Sequence, residues 1–308
     1  MPKVSIITRT KDRPALLERT LCSIREQTYT DWEWVLVDAG DQPPSSVVSE
    51  FLDGEPKRTR RIEVSGNPLM GAMSNIGVRA GNSDYVVLLD DDDTWDPEFL
   101  NQTVRRLDER FDPVIGGVAT HTNRVYEHAN GNGQWIAEME KKLNPDLEYL
   151  DIISLASRNR FTVNAFLYLR TVFEKIGGYR EDLPVLDDWD FNLRFILHND
   201  IDVLPKPLAN WHIREKETTG TDANSLVAGK AKHLYYRAAI INKYLREEIE
   251  NGKPGMGKLI GNASAINVLL SQIESLQRKL ISISRKVGRI DTRTKTLKDM
   301  KVRKSKRR

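Results

Sequence analysis

The sequence predicts an α/β domain with a largely parallel sheet, followed by a helical extension. Short apolar runs at residues 4–8, 34–37 and 85–89 alternate with amphipathic segments, and polar residues follow directly on these runs. An apolar repeat of a different period begins at residue 266. With 308 residues, the chain is long enough for one large domain with appendages or for two ordinary domains.

The first predicted strand is VSIIT at residues 4–8, an apolar run typical of a buried strand. Asp12 as an N-cap and Pro14 near the first helical position then predict the start of a helix. We expect Cys22 to lie on the inner, apolar face of that helix as a small core residue. The second strand is predicted at residues 34–37.

The remaining elements continue this alternation and then loosen. Beyond the second strand the sequence predicts a helix at 47–52, a strand at 61–64, a helix at 75–80, a strand at 85–89 and a helix from 96. Strands near 114–126 and 161–169 and helices at 187–198 and 235–249 complete the prediction.

The composition limits the cellular locations in which we expect the protein to work. The single cysteine excludes an internal disulfide and fits a reducing compartment. The longest stretch without a charged residue, 259–273, is shorter than the ~20 apolar residues of a bilayer span. The first residues lack a basic region followed by a long apolar core, so we expect no signal peptide and a cytoplasmic location.

A seven-residue repeat begins at Ile266. Its apolar residues alternate spacings of three and four: Ile266, Leu269, Ile273, Leu276, Leu280, Ile283, Val287 and Ile290. This pattern is typical of a left-handed coiled coil. It favours self-association of the chain as a dimer or trimer, and a long helix folded back on the body is the alternative.

The body of the chain is acidic and its end is strongly basic. Residues 285–308 hold twelve Lys or Arg and two acids, a formal charge of +10, which leaves −7 for residues 1–284. Three interpretations of the basic end stay open: a solvated charge run, a patch that binds an anionic membrane surface, or an arm that binds nucleic acid. We therefore divide the chain into a domain at 1–225, helices at 226–290 and a basic tail at 291–308, which is expected to be disordered because it has little apolar surface.

Four consecutive carboxylates, residues 90–93, follow the apolar run in YVVLLDDDDTW. Because they end one strand of a parallel sheet, they should meet Thr8, Thr10 and Asp38 at the carboxyl edge of the sheet, where ligands gather. One or two such carboxylates suit Mg²⁺ or Mn²⁺ that also holds a substrate diphosphate. A solvated acidic loop is the alternative.

Two later stretches add candidate residues. LPVLDDWDFNLRF places Asp187, Asp188 and Asp190 at the start of an amphipathic helix, where acids either cap the helix or carry chemistry. ANWHIREKETTG contains His212, which is either structural or a ligand.

Three stretches, in this order, resemble the family 2 glycosyltransferases, inverting enzymes of the GT-A fold that use nucleotide-diphosphate sugars. They are VSIITRTKDRPALLERTLCSIREQTYTDWEWVLVDAGD, MGAMSNIGVRAGNSDYVVLLDDDDTWDPEFL and LDDWDFNLR. The resemblance covers roughly residues 3–220. It implies a Rossmann-like nucleotide-diphospho-sugar transferase domain, to which the coiled-coil extension is appended.

The resemblance also implies a role for each matching residue. Donor contacts would come from Thr8, Thr10, Asp38, Asn75, Asp90 and Asp91. Asp92 would ligate a Mn²⁺ or Mg²⁺ ion between the phosphates, with His212 as a further ligand, and Asp188 would be the general base. Many members carry a second acid where this chain has Ala39, so the resemblance leaves UDP-, dTDP- and GDP-sugars open as donors.

The expected function is therefore inverting, metal-dependent transfer of a sugar to a hydroxyl acceptor in surface glycan or glycoconjugate synthesis. The acceptor would be a glycan or a lipid-linked molecule, and the chain a homo-oligomer through residues 266–290. It would work in the cytoplasm or at the inner face of the membrane. A nucleotidyltransferase, a glycosyltransferase that acts on modified nucleic acid, and a non-catalytic scaffold are the alternatives.

Overall fold

The computed structural model of the chain describes residues 1–130, 135–215, 217, 229–253 and 255–305, with side chains up to residue 287 except at residue 230. Strands and helices alternate through the first part of the chain, as predicted. They are β1 (Val4–Thr10), α1 (Pro14–Arg25), β2 (Trp32–Asp38), α2 (Ser46–Gly54), β3 (Thr59–Glu63), α3 (Met70–Ala80), β4 (Tyr85–Leu88), β5 (Thr94–Trp95) and α4 (Phe99–Asp108).

The second part is built from longer strands and short helices. It contains β6 (Ile115–Ala129), β7 (Trp135–Lys142), α5 (Ile152–Ser157), a 3-10 turn (Val163–Ala165), β8 (Phe166–Leu169), α6 (Arg170–Ile176), α7 (Asp187–Ile196) and β9 (Asp200–Ile213). Two further helices follow, α8 (Lys230–Asn251) and α9 (Met256–Ser305).

Within the described residues, one mixed sheet of nine strands runs through the domain. Its order is β3-β2-β1-β4-β8-β6-β9-β5, with β7 paired to β6. The pairs among β3, β2, β1 and β4 are parallel, whereas β8 runs antiparallel to both β4 and β6. The parallel half brings the carboxyl ends of β1, β2 and β4 to one edge, and this edge carries the site.

Side chains alternate between two apolar cores, one on each face of the sheet. Ile6 of β1 packs in a core with Trp34 and helices α1 and α4, whereas Ile7 packs on the other face with Trp189 and helix α7. Strand residues of β1, β2 and β4 are buried on both faces, which explains why their sequences are continuous apolar runs.

Two local predictions were wrong. Cys22 is exposed, because the buried face of α1 is formed by residues such as Leu17 and Leu21, and Cys22 lies on the opposite face. Asp12 does not cap α1 but adopts a φ of 54° and accepts hydrogen bonds from the Asp41 and Gln42 backbone N–H groups at 2.9 and 3.0 Å. It therefore joins the loop after β1 to the loop after β2.

The C-terminal helices begin on the body and then leave it. Ile240 of α8 and Met256, Ile260 and Ala263 of α9 are buried in the core that contains Trp189. From Ile266 onward the seam residues of α9 are exposed. The predicted boundary at residue 225 lies outside the described residues.

The predicted disorder of residues 291–308 is not what the structure has. The backbone of α9 is helical as far as Ser305, and residues 306–308 lie outside the described part. Lys and Arg are good helix formers, and the sequence contains neither Gly nor Pro after Gly288. The first turns of α9 are therefore held by packing against the body, whereas helix propensity extends its last turns.

No helix among the described residues has the length and apolar content needed to cross a membrane.

Candidate active site

Arg9 joins the acidic turn after β4 to the start of α7. Its Nε donates to Asp90 Oδ1 at 3.0 Å, and its Nη1 lies 3.6 Å from Asp187 Oδ2. The guanidinium is buried, but the charges of Asp90 and Asp187 outweigh burial and raise the pKa of Arg9. Two acidic motifs that are far apart in the sequence therefore meet at one cation.

Asp91 and Asp92 face the first helix and the end of β9. Thr10 Oγ1 donates to Asp91 Oδ2 at 2.7 Å, and Arg13 Nη1 lies 3.1 Å from Asp91 Oδ1 and 3.4 Å from Asp92 Oδ2. Arg214 donates to Asp92 Oδ2. Burial and the neighbouring Asp92 raise the pKa of Asp91 to about 7.

Asp93 has a structural position rather than an open one. Its carboxylate accepts the His212 backbone N–H and the Asn164 Nδ2 amide, both at 3.0 Å, so it holds β9 and the turn before β8. Burial and Asp92 raise its pKa well above the ordinary value.

Glu127 is the centre of a buried charge network beside Asp92. It accepts from Arg19 Nη1 at 2.7 Å, from Arg214 Nη1 at 2.9 Å and from His212 Nδ1 at 3.0 Å. Although burial opposes ionisation, the hydrogen bonds from His212 and Arg19 lower the pKa of Glu127 to about 2. Arg19 also donates to the Asp92 backbone carbonyl at 2.7 Å, which fixes the acidic turn.

His212 is buried in this network and hydrogen-bonded through both ring nitrogens. Burial lowers its pKa below the ordinary value. The ionised Glu127 carboxylate can only accept a hydrogen bond, so His212 Nδ1 carries the ring proton and donates it to Glu127. His212 Nε2 then accepts from the Thr94 hydroxyl at 2.9 Å. The ring therefore carries a basic nitrogen on its Nε2 side.

Asp187 and Asp188 begin α7 after Leu186, whose φ of 66° is unusual for a residue other than glycine. Asp188 accepts from the Trp189 backbone N–H at 2.8 Å and from Asn159 Nδ2 at 2.7 Å. Asp187 Oδ2 is buried and has no hydrogen-bond partner among the described residues. Burial raises the pKa of Asp188, and it raises that of Asp187 to about 7.

Three residues predicted to contact the donor have intramolecular partners. Thr8 Oγ1 accepts from Trp34 Nε1 at 2.9 Å, and Asp38 Oδ2 accepts from Arg61 Nη2 at 2.9 Å. Asn75 Nδ2 donates to the carbonyl of Tyr179 at 2.8 Å, and Asn75 Oδ1 accepts the backbone N–H of the same residue. Thr8 is buried in the sheet, and Asn75 anchors the loop before α7.

The residue types near Asp92 fit a divalent cation. Asp92 offers a carboxylate oxygen and His212 its Nε2 nitrogen, which would have to give up the hydrogen bond from the Thr94 hydroxyl to bind a metal. Arg214 and Glu127 join the two side chains in one network. Among the described residues, no group of three or more His, Cys, Asp or Glu side chains could hold a metal ion by itself. Phosphate and water oxygens would have to complete the coordination.

The charged residues that the sequence prediction missed are mostly arginines. They are Arg9, Arg13, Arg19 and Arg214, together with Glu127; the uncharged Asn159, which donates to Asp188, was missed as well. Arg9 and Arg13 flank Thr10, which was predicted to lie in the site, and Arg214 follows His212 by two residues. The positions of these three arginines close to predicted residues were a signal that could have identified them. Glu127 lies in strand β6, and its neighbours in the sequence offer no such signal.

Residues 5–177, more than half of the chain, match the family model described as Glycosyl transferase family 2. The chain belongs to glycosyl transferase family 2. The family match includes β1, the acidic turn after β4 and the end of α6, but it stops before Asp187 and Asp188.

Two curated relatives match parts of the chain. The chain is 28% identical over 218 residues to an uncharacterized protein of Sinorhizobium fredii, which covers 69% of the chain and 22% of the relative. It is 28% identical over 178 residues to an uncharacterized glycosyltransferase of Nostoc sp., covering 56% of the chain and 53% of the relative. The chain thus spans about half or less of these relatives.

The fold is also that of a solved mannosyltransferase structure. A mannosyltransferase from Pyrobaculum calidifontis, in complex with GDP-Man and Mn²⁺, superposes with a TM-score of 0.58 at 18% identity, covering 89% of this chain and 80% of that one. This likeness confirms the predicted α/β fold of the GT-A type.

We predict that Glu127→Gln destabilises the protein. The amide keeps the shape of the side chain but leaves the buried Arg214 and the half-buried Arg19 without their carboxylate, a change that typically costs about 3 kcal/mol. The measurement is the free energy of unfolding from urea denaturation.

Glu109→Gln is the matched control, because its ion pair with Arg105 is exposed on both sides. Its effect should be below about 1 kcal/mol. Equal effects of the two substitutions would show that the network around Glu127 contributes no more than a surface ion pair.

Proposed function

We propose that this chain is an inverting glycosyltransferase that moves a sugar from a nucleotide-diphosphate donor to a hydroxyl acceptor. The observation that carries the proposal is the position of Arg9 between Asp90 and Asp187. This contact brings the acidic turn after β4 and the acidic start of α7 to one place. A transferase needs donor and acceptor groups at such close range, because the sugar passes between them.

The donor would bind at the carboxyl edge of β1, β2 and β4. Thr10 and Asp38 end β1 and β2 and would lie beside the nucleoside, with the buried Thr8 behind them and Asn75 supporting the neighbouring loop. Asp90 and Asp91 would face the ribose or the sugar. Because Asp38 Oδ2 accepts a hydrogen bond from Arg61, a nucleoside base that contacts Asp38 would lie beside the Arg61 guanidinium. UDP-, dTDP- and GDP-sugars remain the candidate donors, and the GDP-Man complex of the structural neighbour supports the general class.

Asp188 would act as the general base. As the acceptor oxygen attacks the anomeric carbon, the bond from that carbon to the diphosphate oxygen breaks, and the hydroxyl proton passes to the Asp188 carboxylate. The attack occurs on the face opposite the leaving group, so the anomeric configuration inverts. The raised pKa of Asp188 makes it a stronger base than an ordinary aspartate.

Asp92 and His212 would hold a Mn²⁺ or Mg²⁺ ion. When bound, such an ion supplies positive charge to the departing diphosphate. Arg13 and Arg214 already lie against Asp92, so the chain itself also brings cationic groups to this side of the site. Mn²⁺ in the complex of the structural neighbour supports the choice of metal.

We further propose that the chain acts on a glycan or lipid-linked acceptor, in the cytoplasm or at the inner face of the membrane. The basic tail at 291–308 would bind an anionic membrane surface, and residues 266–290 would join copies of the chain. Each basic residue near such a surface contributes at most ~1 kcal/mol, so a cluster is needed for stable binding.

We predict that a nucleoside diphosphate stabilises the chain and that Mn²⁺ increases the effect. A ligand at 100 times its dissociation constant adds ~2.7 kcal/mol to the stability of the folded state. The measurement is the melting temperature with UDP, GDP or dTDP, each with and without Mn²⁺. Asp92→Asn should remove the part that depends on Mn²⁺, whereas the exposed Asp53→Asn should keep it. Absence of stabilisation by every nucleotide would contradict the proposed donor class.

We predict that Asp188→Asn lowers kcat by ~10²–10⁴ while donor affinity persists, because the amide cannot accept the acceptor proton. The assay measures release of nucleoside diphosphate with the donor found by thermal stabilisation. Release of pyrophosphate instead would indicate a nucleotidyltransferase.

Asp182→Asn, on the exposed side of an ion pair with Arg180, is the control and should leave kcat unchanged. In the parent, kcat/KM should fall as the pH decreases through a pKa above the ordinary Asp value of about 3.9, since only ionised Asp188 accepts a proton. Full turnover by Asp188→Asn together with inactive Asp187→Asn would move the base to Asp187.

We predict that the parent sediments with vesicles containing anionic lipid and that removal of residues 291–308 abolishes sedimentation. Neutral vesicles are the control, because the attraction depends on surface charge. Binding to duplex DNA in preference to anionic vesicles would favour a nucleic-acid acceptor.

A further inference from the structure

An apolar seam runs along α9 beyond the point where this helix leaves the body. The seven seam residues whose side chains are described are between 50 and 65% exposed: Ile266, Leu269, Ile273, Leu276, Leu280, Ile283 and Val287. From residue 266 to 290 the seam is ~36 Å long at 1.5 Å per residue. Continuous apolar surface of this length is costly in water and marks an interaction site.

The seam is accessible from its first residue. Met256, Ile260 and Ala263 face the body, and at ~100° per residue this face lies roughly a third of a turn from the seam. Toward the start of the helix the seam continues at Asn262, which is exposed, whereas Leu259, the next seam position, is half-buried against the core. A partner helix can therefore lie along α9 from about residue 262 onward.

The seam fits a second copy of itself. Running antiparallel about a two-fold axis near residue 278, two copies pair apolar residues in every layer. The layers are Leu276 with Leu280, Ile273 with Ile283, Leu269 with Val287, and Ile266 with Ile290. Most flanking positions along the second half of the seam are polar, among them Gln272, Gln277 and Ser284, whereas Leu270 adds an apolar residue at the edge of its first half.

Charge distinguishes antiparallel from parallel pairing. A parallel pair places two basic segments of +10 (residues 285–308) side by side and two acidic bodies side by side, and both juxtapositions are repulsive. An antiparallel pair instead places each basic tail beside the start of the partner's α9. There α8 ends with Glu247, Glu248 and Glu250, and Glu248 Oε1 accepts the Lys258 backbone N–H at 2.9 Å, so these acids adjoin α9.

We propose that the chain forms an antiparallel homodimer through the seam of α9, with each basic tail beside the acidic end of the partner's α8. A closed two-fold arrangement buries the seam of both copies at once and leaves no seam for a third. The two active sites then lie at opposite ends of the paired helices. The inference is independent of the proposed enzymatic function, because it rests on α9 and α8 alone.

The mass of the full-length chain in solution tests the stoichiometry. Light scattering should give twice 35.2 kDa. Leu276→Glu places a charge in the seam and should give the mass of one chain. Ser271→Glu adds the same charge on the exposed opposite face of the helix and should keep the mass of two. A parent mass of one chain, or of three or more, would overturn the proposal, as would equal behaviour of the two variants.

Cysteine crosslinking tests the direction in a Cys22→Ser background, which removes the exposed native thiol. In the antiparallel pair, residue 269 faces residue 287 of the other copy and lies ~27 Å from residue 269 of that copy. Leu269→Cys alone should therefore stay uncrosslinked on mild oxidation, whereas Leu269→Cys combined with Val287→Cys should form a covalent dimer. Efficient crosslinking by Leu269→Cys alone would show a parallel pair and overturn the proposed direction.

Discussion

The concentration of carboxylates at one edge of the sheet is the constraint on which the rest of the site depends. Residues 90–93 leave β4 with three of their side chains buried, and Glu127 and Asp187 add two more buried acids. Ionised carboxylates in a poorly hydrated place are stable only when cations and hydrogen-bond donors face them. Arg9, Arg13, Arg19 and Arg214 supply that charge from four separate places in the sequence.

This arrangement orients the proposed catalytic groups through their neighbours. Arg9 fixes the distance between the donor-side turn and α7, while Glu127 holds both Arg214 and His212 next to Asp92. Asp91 and Asp187 have raised pKa values, because the arginines only partly offset the cost of burying their charges. Such partly offset acids suit a site that would receive a divalent cation together with a phosphorylated donor. The fold of the family thus supplies the edge, and the arginines make its acidity tolerable.

The C-terminal helices follow a different physical rule. The first turns of α9 are held by burial against the body, with Ile260 and Ala263 in the core. The later turns have no such contact in the described chain and keep their apolar seam exposed. The helix continues into the basic tail because Lys and Arg favour helix locally. Exposure of the seam and the opposite charges of tail and body both favour pairing with another chain.

Local sequence determined strands β1–β4, β6 and β8, most helices, the acidic turn and the heptad seam, because apolar periodicity and turn residues act over a few neighbours. It did not predict β5, β7 or β9. The predictions for Cys22 and for the tail differ from the structure. Cys22 lies on the exposed face of α1, and helix propensity extends α9 into the tail. Only the tertiary structure decided which charges meet. Arg9, Glu127 and Arg214 are ordinary residues in their own segments, and they become site residues because sheet pairing brings β6, β9 and the start of α7 to the acidic turn. Such long-range pairing has no local signature, so the sequence by itself identifies the carboxylates but not the cations that keep them buried.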